Sequence, residues 1–245
     1  MTHTLQINQH PGLNPPSFSC QIINNHVIDG NYWVELDKTY YYPNGGGQPS
    51  DHGLLISDDL QTRMPILDVR KKRDTILHNI GPLSSPPQDI HYQASIDIER
   101  RSILTRMHTA QHLISAVADE LYGGSTVGNQ INTEKTRIDI GFESREKFSR
   151  DELESVVNNY IDSAIPVEMS FQKRSELLSD PLVRVNLELL PKNIDELRVI
   201  TIVDVDICPC AGTHVGNTSQ IGHISISKVK SKGSGKLRVE YSLIE

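Results

Sequence analysis

Disulfide chemistry is the first thing this sequence argues against. Only three cysteines, Cys20, Cys208 and Cys210, occur among 245 residues, and two of them form a CxC pair. An odd number in that arrangement is not a disulfide framework, and it fits a reducing compartment better. Long apolar runs are also missing. No stretch approaches the length of a membrane span, and residues 1–10 lack a basic segment followed by an apolar one. The expectation is a soluble, cytoplasmic chain without a membrane partner. Nor is there a basic excess: 24 Lys and Arg stand against 31 Asp and Glu, a net charge of −7. That is the wrong sign for an indiscriminate phosphate binder, and no DNA partner is expected. Internal repeats and low-complexity segments are absent.

What is present divides in two. Up to about residue 90 the chain reads as strands and turns, with short apolar or alternating runs at 18–23, 32–36, 53–57 and 65–69. Turn residues separate them: Asn24-Asn25, Asp29-Gly30, Gly45-Gly46-Gly47 and Asp58-Asp59. A small β-barrel is the expected result. Pro82, Pro86 and Pro87 mark the loop that leaves it, so the expected domains are residues 1–92 and 93–245. The period then changes from two to about 3.6. Leu104, Met107, Ala110, Ile114, Val117 and Leu121 follow helical spacing and stop at Gly123-Gly124. Ser149 and Glu152 form a capping-box pattern ahead of a second helix carrying Leu153, Val157 and Ile161. Strand-like runs at 136–142, 167–171, 197–205, 222–229 and 237–241 complete an α+β class, with helices on a mostly antiparallel sheet.

Two short pairs carry chemistry. His108-Thr-Ala-Gln-His112 sets two imidazoles one helical turn apart, where both can reach one ion. Cys210-Ala-Gly-Thr-His214 has the same spacing and can complete a tetrahedron. Three imidazoles and a thiolate suit Zn²⁺ better than Mg²⁺ or Ca²⁺, which favour oxygen donors. The first pair is not HExxH: Ala110 and Gln111 occupy the place of a metalloprotease's general-base Glu, so a protease of that type lacks its acid-base group, which argues against peptide hydrolysis by that route. Cys208 lies two residues from Cys210, and either thiolate could ligate. Lys228, Lys230, Lys232, Lys236 and Arg238 gather near the C-terminus, and Arg70 to Arg73 form a second basic cluster; each reads as a solvated edge or as a contact for a structured RNA.

Four blocks together resemble the alanyl-tRNA editing proteins, the freestanding AlaX group similar to the editing domain of alanyl-tRNA synthetase. They are residues 39–53 with their GGGQP segment, residues 97–101 followed by the HTAQH pair, the CAGTH pair, and residues 218–222 running into the basic hairpin and 237–241. The resemblance spans most of the chain, leaves no room for a catalytic synthetase module, and implies a barrel bearing the Gly-rich loop followed by a zinc-bearing editing domain. It implies hydrolysis of tRNA(Ala) charged with serine, and possibly glycine, the partner being the acceptor end of that tRNA. It assigns His108, His112, Cys210 and His214 as zinc ligands, favouring Cys210 over Cys208. It also assigns Thr126 and Gln130 as substrate-contacting residues. The glycines of the Gly-rich loop let backbone amides approach a ligand closely or simply make a tight hairpin turn, and Gly46, Gly47 and Gln48 are its candidate site residues. Ala211 and Gln220 depart from the family's usual residues without removing a ligand. Two rivals remain, a zinc-stabilised RNA-binding module without catalysis and an editor of Ser-tRNA(Thr); the Gly-rich block favours the alanine family over the second.

Overall fold

In the computed structural model the described residues are 2–87, 91–177, 179, 183, 184, 190, 194–233 and 235–244. They form two compact units, Met1–Ile103 and Leu104–Glu245. The division expected near residue 90 falls beside 88–90, which lie outside the described residues.

The first unit contains β1 (His3–Thr4), β2 (Phe18–Ile28), β3 (Asn31–Leu36), β4 (Lys38–Thr39), β5 (Gly53–Ser57), β6 (Arg63–Ile66), β7 (Asp68–Lys72), β8 (Thr75–Gly81) and β9 (His91–Ile96). Seven of these strands pair in the order β6-β5-β9-β2-β3-β8-β7, all antiparallel. Two-residue alternation builds the core: Phe18 and Cys20 of β2 point inward with Tyr92, Ala94 and Ile96 of β9, while Ser19, Gln21 and Gln93 face out. Asp29 and Gly30 join β2 to β3 with φ of 50° and 77°, the two left-handed residues that a tight hairpin matching the strand twist requires. A bulge between Ile22 and Asn24 bends β2, so that its first half pairs with β9 and its second with β3.

The barrel expected here is not closed by pairing. Strands β6 and β7 are the two edges of the sheet, with no ladder between them among the described residues. The reason is local. Only Leu67 separates them, too short a link for an antiparallel hairpin, so one extended run leaves the β5 side of the sheet and joins the β8 side.

The helix α1 (Ile98–Tyr122) leads into the second unit, followed by β10 (Ser125–Gln130), β11 (Thr136–Gly141), α2 (Arg150–Asp162), β12 (Val167–Lys173), α3 (Arg174–Leu177), β13 (Glu196–Ile202), β14 (Asp206–Pro209), β15 (Ile224–Ser231) and β16 (Lys236–Leu243). Two antiparallel sheets form, β10-β11-β16-β15 and β12-β13-β14. The mixed α and β class with mostly antiparallel sheets is as expected.

From Leu104 to Ala118 almost every side chain of α1 is buried, polar ones included. A helix buried on nearly all sides must satisfy its polar groups internally or present them to a ligand. It ends where Gly123, at φ 59°, turns the chain, and Gly123 and Gly124 donate to the carbonyls of Asp119 and Ala118 at 2.8 and 3.0 Å. The Tyr241 hydroxyl of β16 donates to the Met107 carbonyl at 2.7 Å, pinning this helix to the sheet. In α2 half of the capping box forms: Ser149 Oγ accepts from Glu152 N at 3.3 Å, whereas the Glu152 carboxylate accepts from the Tyr122 hydroxyl at 2.7 Å. Among the described residues no helix is long and apolar enough to cross a membrane.

Candidate metal centre

His108 and His112 face inward from α1 one turn apart. The loop after β14 brings Cys210 and His214 to them, and the four donor atoms all lie within 4.8 Å of one another. Cys210 Sγ is 3.6 Å from His108 Nε2 and 3.3 Å from His214 Nε2. A tetrahedral zinc with bonds of about 2.0–2.1 Å to nitrogen and about 2.3 Å to sulfur separates such donors by roughly 3.5 Å. The donor set and its spacing therefore fit that ion.

The loop is held by β13. Arg198 accepts the Cys210 N–H on its own carbonyl at 3.0 Å and sends its buried guanidinium to the carbonyls of Cys210 and Gly212 at 2.7 and 2.9 Å. Pro209 ends β14, an edge strand, where the missing N–H costs no ladder bond.

Two imidazoles are oriented through their far nitrogens. His112 Nδ1 meets Asp206 Oδ2 at 2.8 Å, and the other Asp206 oxygen accepts from Arg184 at 2.5 Å. His214 Nδ1 meets Thr109 Oγ1 at 3.2 Å; that hydroxyl donates to the Thr105 carbonyl, so it receives the imidazole N–H. Each bond fixes a tautomer that leaves Nε2 free for the cluster. Asp206, Thr109, Arg184 and Arg198 carry no motif spacing of their own, which is why sequence reasoning missed them.

Charge follows the geometry. Burial disfavours a proton on His112, but the Asp206 carboxylate and Cys210 outweigh it and carry its pKa up to about 10. Burial opposes a Cys210 thiolate, yet His108 and His214 hold that thiol well below its ordinary value. Burial, aided by His108, keeps His214 neutral. Cys208 shows the opposite: burial first, then Asp206 and Cys210, push its thiol well up, and its sulfur donates at 3.7 Å to the Pro209 carbonyl outside the cluster. Of the two cysteines, Cys210 is the one converging with the histidines.

Beside the cluster runs a polar row. Gln111 and Ser115 stand three residues beyond His108 and His112, so they border the same face of α1. Thr126 Oγ1 lies 2.8 Å from Ser115 Oγ, and Asn129 Nδ2 donates to Gln111 Oε1 at 3.1 Å. A bulge between Thr126 and Gly128 shifts the alternation of β10, so Asn129 shares the face of Thr126, while Gln130 is exposed opposite Arg137. The bulge is invisible in the residue pattern.

The Gly-rich segment lies in the first unit and forms a tight turn. Gly45 and Gln48 exchange backbone bonds of 3.1 and 2.9 Å, and Gly46 and Gly47 take φ of 57° and 82° between them. Gly46 is exposed, and Gln48 is fully buried.

A buried His₃Cys set at a sheet end, beside a helix lined with polar groups, has the donors and spacing of a metal centre. Residues 197–240, which include Cys210, His214 and the arginine that holds their loop, match the Threonyl and Alanyl tRNA synthetase second additional domain. The chain is 34% identical to Alanyl-tRNA editing protein AlaX-M of Saccharolobus solfataricus, over 88% of this chain and 90% of that one. It is 32% identical to Alanyl-tRNA editing protein AlaX-M of Methanosarcina acetivorans over 92% and 94%. An Alanine--tRNA ligase of Methanopyrus kandleri is 32% identical over 92% of this chain but 24% of the ligase. The chain belongs to the AlaX-M family of alanyl-tRNA editing proteins.

Proposed function

We propose that this chain edits in trans by hydrolysing the ester of tRNA(Ala) wrongly charged with serine, and also with glycine. As a member of its family it is an alanyl-tRNA editing protein and a tRNA deacylase, hence a hydrolase whose partner is tRNA(Ala). The observation that carries the reading is the convergence of His108, His112, Cys210 and His214 beside the Thr126 row, on one face of α1.

Water adds to the aminoacyl carbonyl, the carbonyl–ribose bond breaks, and the ribose oxygen leaves with a proton. The ester is already activated, so the protein supplies mainly positioning and charge. When bound, zinc would supply a fixed positive charge for the carbonyl or for a polar group of the substrate. Asp206 and Thr109 hold the imidazoles, and Arg198 holds the cysteine loop. Thr126 reads the serine hydroxyl, and Gln130 contacts the substrate from the exposed end of β10. Gly46 and Gly47, without side chains at the tip of their turn, let the backbone approach the substrate closely, and the buried Gln48 follows them. Lys228 and Lys230 on β15, Lys232 just after it and Lys236 at the start of β16 are exposed and face phosphates; Arg238 is tied to Asp139 by bonds of 2.6 and 2.7 Å and serves the sheet.

Selectivity follows from unpaired groups. A site built to bond a hydroxyl rejects the analogue lacking it far more strongly than a site that merely has room. Deacylation of seryl-, glycyl- and alanyl-tRNA(Ala) side by side tests the proposal. Rapid loss of the seryl and glycyl esters with the alanyl ester spared is expected. An intact seryl ester would contradict it and leave an RNA-binding module without catalysis.

A further inference from the structure

The hydrogen bonds around Thr126 fix the direction of its own bond. Ser115 Oγ carries one proton, and it goes to the Gln111 carbonyl one turn back, at 2.9 Å. The Gln111 side-chain amide donates to the same Oγ, also at 2.9 Å. That amide cannot flip freely, because Asn129 Nδ2 donates to Gln111 Oε1 at 3.1 Å and requires an oxygen there. Ser115 Oγ then has no proton left for Thr126, 2.8 Å away, so the bond between the two hydroxyls must be donated by Thr126. A hydroxyl whose proton is spent inward offers only lone pairs outward.

We infer that Ser115, Gln111 and Asn129 are positioning residues that fix Thr126 as an acceptor, so that the site reads the serine hydroxyl as a hydrogen-bond donor. The inference rests on the proposed role of Thr126 and adds the direction of its bond. Bulge geometry supports it independently. By skipping Val127, which is exposed, the chain places Thr126 and Asn129 on the side of α1 together, and both ends of the relay close on Gln111. A strand in unbroken register would put a two-residue step between partners and break the circuit.

Glycine has no side chain to read, which makes glycyl-tRNA(Ala) the internal control. In Ser115→Ala the Thr126 proton is released and its orientation is no longer set. The ratio of kcat/KM for seryl- over glycyl-tRNA(Ala) should fall about five-fold, the equivalent of one neutral hydrogen bond. Glycyl hydrolysis should hold, and Ser115→Thr, which restores a hydroxyl, should recover the ratio. Combined with Thr126→Val, Ser115→Ala should cause no further drop in the ratio. Equal loss on both esters in Ser115→Ala, or an unchanged ratio, would overturn the relay. If Thr126→Val lowers the ratio while Ser115→Ala does not, Thr126 remains the reader and only the relay fails. If Thr126→Val leaves the ratio unchanged, both fail.

Discussion

Both units bury polar groups, and they do so in opposite ways. In the first, Arg101 is fully buried against Asp51. Its five N–H donors meet both Asp51 oxygens, the carbonyls of Gly12 and Tyr40 and the Gln9 amide oxygen. His78, also fully buried, lies between Thr39 Oγ1 at 3.0 Å and the Val34 carbonyl at 3.2 Å, and burial brings its pKa down to about 4, so it stays neutral. Donors there match acceptors, and nothing else is needed. In the second unit three imidazoles and a thiol converge on one point, and the outer nitrogens of His112 and His214 are already held by Asp206 and Thr109. A histidine that finishes its bonds within the fold is structural, whereas histidines whose inner nitrogens converge ask for a cation.

The comparison can be broken at several points. The largest effect is expected in the first unit: Arg101→Met leaves the Asp51 carboxylate buried and unpaired, at about 3–5 kcal/mol. Urea unfolding should register that loss with the zinc content of folded protein unchanged. A stability equal to wild type would show that the pair is not closed on itself. Next comes Asp206→Asn, which keeps an acceptor for His112 but removes the charge and the partner of Arg184. Zinc affinity, read by competition with a chelator of known strength, should weaken roughly 10- to 100-fold. Retention of wild-type affinity would place Asp206 outside the machinery of the centre. The smallest effect sharpens the choice between neighbouring cysteines: Cys208→Ala should leave the zinc content of purified protein as it was, and loss of the metal would reverse the assignment of the thiolate.

Much of this was legible from spacing. The HxxxH and CxxxH pairs identify four residues that the structure brings together, and the helical spacing from Leu104 to Leu121 falls within α1 and stops one residue short of its observed end. Helix spacing is a local property, which is why it could be read. Asp206 and Arg198 were not legible because they reach the centre through β13 and β14, a long-range arrangement with no local signature. Gln130 was placed by the resemblance alone, and the bulge at Val127, which no residue pattern announces, brings Asn129 to the face of Thr126 while Gln130 lies exposed opposite Arg137. The closed barrel was expected from turn spacing, but turn spacing carries no information about how the edges β6 and β7 meet.

The central claim is that His108, His112, Cys210 and His214 hold one ion. Metal analysis of the purified chain beside His108→Ala/His112→Ala tests it most directly. The account predicts one zinc per chain in the wild type and none in the double variant, with hydrolysis of Ser-tRNA(Ala) lost alongside. Zinc retained at full stoichiometry in the double variant would contradict it.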